Sequence, residues 1–158
     1  MRRILWIAAL TCCLAASGPN ETTAQTQGSF HGTVAERILI GGELKLGITL
    51  AEQALGALRS TSAPDELQRA GELTLRSYVQ WNRALQGVQH LMAKRTFEDP
   101  LLQQTVETID QARAATGQAH SLINGAAVDE SERASSIAAA IQLLWRAIAL
   151  AQQAMDLV

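Results

Sequence analysis

Four stretches of this chain each open on a helix-start signal and then carry apolar residues at alternating three- and four-residue steps. With about 3.6 residues per helical turn, that spacing gathers the apolar side chains into one stripe. The first stretch opens at Thr33-x-x-Glu36, a capping box in which hydroxyl and carboxylate each satisfy a free backbone N–H. Ile38, Leu44, Ile48, Ala51, Leu55 and Leu58 follow. The second opens at Ser62-Ala63-Pro64-Asp65-Glu66, where proline and the acidic residues suit a helix start. Leu67, Gly71, Thr74, Tyr78, Trp81, Leu85, Val88 and Met92 then keep heptad spacing. Asp99-Pro100 opens the third, with a seam of Leu102, Thr105, Ile109, Ala112, Thr116, Ala119 and Ile123 and a stop signal at Asn124-Gly125. Asp129-x-x-Glu132 reads as a second capping box, followed by Ala134, Ile137, Ile141, Leu144, Ile148, Ala151 and Met155.

The pattern predicts helices over 33–60, 64–95, 100–124 and 130–157. Helices of similar length joined by short loops alternate in direction, so the expected fold is all-α, an antiparallel up-down-up-down four-helix bundle over 33–158. One stretch has a competing reading: residues 38–46, with Gly41-Gly42 at their centre, also fit a β-hairpin. The helix is preferred because an isolated two-stranded hairpin is marginally stable. Apolar residues form 47% of the chain but aromatics only 4%. That ratio suits helices packed closely through alanine, not an aromatic-rich sandwich or barrel.

The N-terminus is a different material. Arg2 and Arg3 precede a mainly apolar run over 4–16, then Ser17-Gly18-Pro19-Asn20 breaks any helix and Thr22-Thr23-Ala24 offers small residues to a signal peptidase. This is the pattern of a secretory signal peptide over 1–24 with cleavage near Ala24. The apolar run is short of the roughly 20 residues that a membrane span needs. The alternatives are an uncleaved anchor or a lipoprotein joined through Cys12 or Cys13. The expected compartment is therefore periplasmic or secreted, with membrane contact only through an uncleaved or lipidated N-terminus. Both cysteines lie in the leader, so a mature chain beginning at Gln25 has no disulfide and depends on its core. Residues 25–32 read as a flexible lead-in.

No metal or cofactor is expected. His31, His90 and His120 are the only histidines, and Gly87 and Gly117 stand where a di-iron bundle places the glutamate three residues before each histidine. No C-x-x-C-H motif exists for covalent haem. A haem held by His90 with Met92 or Met155 would need His90 to project inward, and its spacing puts it on a polar stripe. His90 and His120 should lie roughly 20 Å apart in an antiparallel pair. Arg83-Ala84-x-x-Gly87-x-x-His90 matches Arg113-Ala114-x-x-Gly117-x-x-His120, a trace either of duplication or of chance.

Trp81 and Trp145 lie at similar distances from the ends of two parallel helices, so both should fall near mid-height. Arg113 and Lys45 reach a similar level and Tyr78 is one turn from Trp81. Aromatics beside basic groups could form a pocket for a small anion or flat ligand; equally, they could fill core volume while the cations reach water. No triad or phosphate loop is recognisable, and a net charge of −2 does not favour nucleic acid. The leading expectation is an exported, non-enzymatic bundle acting through contact with an unknown protein partner or as a structural accessory. Leu39, Leu46 and Leu50, off the main seam, are candidates for an exposed apolar strip. The alternative is a ligand-binding or sensor-like bundle with a mid-bundle pocket at Trp81, Trp145, Arg113 and Tyr78.

Overall fold

The computed structural model describes residues 32–60, 63–96 and 98–158. The expected leader over 1–24, with Cys12 and Cys13, lies outside the described residues, as do His31 and most of the lead-in. Four helices follow in order: α1 (Val34–Ser60), α2 (Pro64–Ala93), α3 (Pro100–Val128) and α4 (Arg133–Leu157). Residues 38–46 are helical, so the Gly-Gly hairpin does not form.

The capping box at the start of α1 closes as expected. Glu36 N donates to Thr33 Oγ1 at 3.2 Å, and Thr33 N donates to Glu36 Oε2 at 2.9 Å. These bonds hold the Glu36 carboxyl down at about 2, first through the Thr33 amide and hydroxyl and then through Lys94. Asp99 caps α3, its Oδ1 accepting from Leu101 N and Leu102 N. α2 ends at Ala93, two residues short of expectation, and two boundaries differ by more. Asn124-Gly125 does not stop α3, because Gly125 keeps helical backbone and its carbonyl accepts from Asp129 N at 2.9 Å. Asn124 instead spends its side chain on His120. Asp129 and Glu132 do not close the expected reciprocal box: Asp129 Oδ1 takes first the hydroxyl and then the amide of Ser131, with the Glu132 amide a lesser influence, which together lower its carboxyl below the usual range. α4 then starts three residues later than expected, at Arg133.

Side-chain contacts fix the helix directions. Lys94, just past the end of α2, reaches Glu36 at the start of α1 at 3.2 Å. His120, late in α3, meets the carbonyl of Gly71, early in α2. Arg37 at the start of α1 donates to Val158 O beyond α4. Each neighbouring pair is antiparallel, and α1 closes the ring against α4. The fold is an antiparallel four-helix bundle.

Its core is built largely from alanine, with Ala51, Ala54, Ala70, Ala112, Ala119, Ala140, Ala147, Ala151 and Ala154 all fully buried. Small side chains let helix backbones approach closely, and Leu44, Leu67, Leu102, Ile109, Ile123 and Leu144 fill the remaining volume. The threonines on the seams cost little to bury, since Thr74, Thr105, Thr108 and Thr116 each donate to the carbonyl four residues back at 2.7–2.8 Å. Three seam expectations fail at the bundle's ends, one of them Ala134, which is exposed on the first turn of α4. Ile38 is 70% exposed and Ile40 takes the inward place, while Met92 is exposed and Leu91 replaces it. By length and composition α4 could cross a membrane; here its inward face packs on the other helices.

Candidate functional site

Trp81 is the largest fully buried side chain. It points from α2 into α1, where Gly47 leaves room for it: a Cβ built on Gly47 would stand 2.2 Å from the indole Nε1. The indole N–H donates to Leu44 O at 3.4 Å, and one turn earlier Ser77 Oγ donates to Gly47 O at 2.8 Å. The middle of the bundle between α1 and α2 is thereby filled by the indole itself.

Trp145 has a different environment. It sits on the shoulder of α4 beside α1, 47% exposed, with the Arg59 guanidinium 5.2 Å over its ring. Helical side chains lean toward the N-terminus of their own helix. α1 and α4 run in opposite directions, so Arg59 and Trp145 lean toward each other. Tyr78 and Arg113 are brought together, but across the α2–α3 seam. The Arg113 guanidinium lies 5.9 Å from the Tyr78 ring centroid, bonds Asn82 Oδ1 at 3.3 Å and pairs with Asp110. Lys45 projects to solvent from the outer side of α1. The four candidate residues thus face three directions: Trp81 inward to α1, Tyr78 and Arg113 along the α2–α3 seam, Trp145 outward. They do not line one mid-bundle pocket.

The two matching Arg-Ala-x-x-Gly-x-x-His segments also part company. Gly87 lies under Ile40 of α1, while Gly117 lies under Tyr78 of α2. His90 is exposed, whereas His120 Nδ1–H donates to Gly71 O at 3.1 Å and its Nε2 accepts from Asn124 Nδ2 at 3.0 Å. His90 lies nineteen residues beyond Gly71 on α2, so a rise of 1.5 Å per residue sets the imidazoles about 28 Å apart along the bundle. Among the described residues, no three of His, Cys, Asp and Glu gather where they could hold an ion.

Several large apolar side chains are also left open to solvent. On the first turns of α1, Val34 and Leu39 are 72% and 65% exposed beside Ile38, and Leu46 is 46% exposed. Leu50, expected in the same strip, is buried. Val34, Ile38 and Gly41 border a cleft of about 330 Å³ closed on its other side by Met155 and Val158. Gly41, Gly42 and Gly56 have no heavy atom within 4 Å of where a Cβ would stand, so on this face the glycine space is unused within the chain. Two of the three expected strip residues, Leu39 and Leu46, are therefore exposed, and exposed apolar side chains extend toward the helix start. Reading Ile38 as a core residue concealed that extension. The Arg59–Trp145 stack and Asn82 had no local sequence signal, because each depends on the register between helices; Asp110, three residues before Arg113 on the same helix, was legible from spacing alone.

The class defined by this fold is the small antiparallel four-helix bundle with an alanine-rich core. No protein-family model matches the chain, and neither the curated proteins nor the solved structures contain a match to it.

Proposed function

We propose that the protein is an exported, non-catalytic helical bundle that works by docking another protein on the outer face of α1. The observation that carries this reading is the strip Val34, Ile38, Leu39 and Leu46, apolar and open to solvent on a bundle whose middle is occupied by Trp81. Contiguous exposed apolar surface is costly to leave uncovered and marks contact sites on soluble proteins. Export rests on the basic, apolar and small-residue succession over 1–24.

Site-specific photocross-linking in the producing cell tests the docking face. A cross-linker carried at Leu39 or Leu46 is expected to give discrete adducts, and one at the exposed polar positions Gln111 or Gln118 of α3 is not. Equal labelling from both faces, or none from α1, refutes the reading. Fractionation with N-terminal sequencing tests export: material outside the cytoplasm should begin at or near Gln25.

A further inference from the structure

The outward face of α1 carries a stripe of Val34, Ile38, Gly41, Lys45, Glu52, Gly56 and Arg59, spaced by three, four or seven residues and so aligned on one side of the helix. The stripe has a symmetry that only a second helix can use. Reflected about the point between Ile48 and Thr49, Lys45 falls on Glu52, Gly41 on Gly56, and Ile38 on Arg59. Two α1 helices packed antiparallel on this stripe about a two-fold axis place each member of those pairs opposite the other.

Each pairing answers something the single chain leaves open. Among the described residues, Lys45 and Glu52 form no ion pair. They cannot pair with each other, since seven residues of helix separate them by about 10 Å. Gly41 and Gly56 sit in open space, although glycine costs a helix interior about 1 kcal/mol relative to alanine. Opposed across a dyad, they let the two backbones come close. Ile38, 70% exposed, falls on the partner's Arg59 and the half-exposed Trp145 ring beneath it, so both apolar groups are covered by one contact.

We infer that α1 is a homodimer interface, an antiparallel α1–α1 contact held by two reciprocal Lys45–Glu52 pairs and closed by Gly41 against Gly56. The inference rests on reading α1 as a protein-docking surface and assigns the Val34 and Ile38 shoulder of that surface to a second copy of this chain. Leu39 and Leu46 lie on the other shoulder of α1 and remain outside the two-fold contact.

Sedimentation equilibrium of the purified protein over a range of concentrations tests this. The wild type should be a reversible dimer. Lys45→Glu and Glu52→Lys each set like charges against each other twice, and each should weaken the dimer by about tenfold or more. The double variant K45E/E52K reverses both signs and should restore the dimer. An equimolar mixture of the two single variants should form a heterodimer, because one chain is then acidic at both positions and the other basic at both, so every facing pair is of opposite sign. Gly56→Leu, whose Cβ meets nothing in the single chain, should dissociate the dimer while circular dichroism stays unchanged. Monomeric wild type at every concentration overturns the inference, as does a dimer indifferent to the single charge reversals. Neither outcome touches the docking reading, which fails only if cross-linkers at Leu39 and Leu46 give no adduct selective for that face. Adducts there of mass other than twice the chain report a different partner on the other shoulder.

Discussion

Replacing Gly47 by alanine sets two effects of opposite sign against each other at one atom. Alanine in a helix interior is favoured over glycine by about 1 kcal/mol. At Gly47 the added methyl would stand 2.2 Å from Trp81 Nε1, 2.5 Å from Cδ1 and 2.9 Å from Cε2. All three are far inside van der Waals contact, and the indole must retreat by more than an ångström. It has nowhere to go, being fully buried among α1 and its neighbours. Forcing extra volume into a packed core costs about 1–3 kcal/mol. Moving the ring also lengthens the N–H bond to Leu44 O, already 3.4 Å, and a buried donor left unpaired costs about 1–3 kcal/mol more.

The clash outweighs the propensity, so Gly47→Ala should destabilise by about 2 kcal/mol, a fall of roughly 6 °C in Tm for a domain of this size. Gly42→Ala, five residues earlier in the same helix, meets nothing and should gain up to about 1 kcal/mol. Thermal and urea denaturation followed by far-ultraviolet circular dichroism measure both. A third variant isolates the cause: in G47A/W81L the leucine vacates the space that the methyl needs. The pair should therefore lose at least about 1 kcal/mol less than the sum of the single changes. Gly47→Ala as stable as wild type, or strictly additive with Trp81→Leu, would refute this account of the α1–α2 seam.

Three further outcomes follow from the same geometry. Trp81→Ala should cost about 3–5 kcal/mol, and Trp145→Ala nearer 1 kcal/mol, since only part of its ring and an exposed cation–π contact are lost; iodide should quench the Trp145 emission and spare that of Trp81. Gly125→Ala should raise Tm, because α3 runs through that position in ordinary helical backbone with open space for a methyl; a fall would mean that Gly125 ends the helix after all. Glu36 has a folded pKa of about 2 against an ordinary 4.5, so its contribution is full above about pH 5 and disappears as the pH falls toward 2. Measured by urea denaturation, the stability gap between wild type and Glu36→Gln should therefore be constant at neutral pH and close on acidification; a gap that widens in acid contradicts the assignment.

The fold was legible because its determinants are local. Thr33 and Glu36, Asp99 and Pro100 act within one turn of themselves, and the seams of α2 and α3 repeat faithfully enough to name most of their buried residues, the small flanking ones such as Ala70, Ser77 and Ala115 excepted. Boundaries failed where a residue had two possible partners. Asn124 could end a helix or bond His120, and the neighbouring Ala126-Ala127 favoured continuing the helix. Asp129 could cap across three residues to Glu132 or across two to Ser131, and the shorter reach prevailed. The candidate site was legible only in part. Spacing along a helix states the height of Trp81 and Trp145 but not the azimuth that decides what each ring faces. That azimuth depends on which helix stands on which side, a property of four elements at once.

α1 was the hardest helix to read, for the same physical reason that makes it the functional candidate. A helix with one apolar stripe announces its inward face, and α2 does so clearly. α1 is apolar on nearly every side of its first turns, so Ile38 and Ile40 are equally good core residues by sequence. Only the packed structure decides that Ile40 goes in, over Gly87, and Ile38 stays out. The glycines divide in the same way. Gly47 faces inward and is consumed by Trp81, whereas Gly41, Gly42 and Gly56 face outward and are consumed by nothing in the chain. A helix that only had to close this bundle would gain stability from alanine at each of the last three. Their presence, together with the exposed isoleucine and leucines beside them, is what a helix needs to pack on both of its sides: on its own bundle through one face, and on a second molecule through the other.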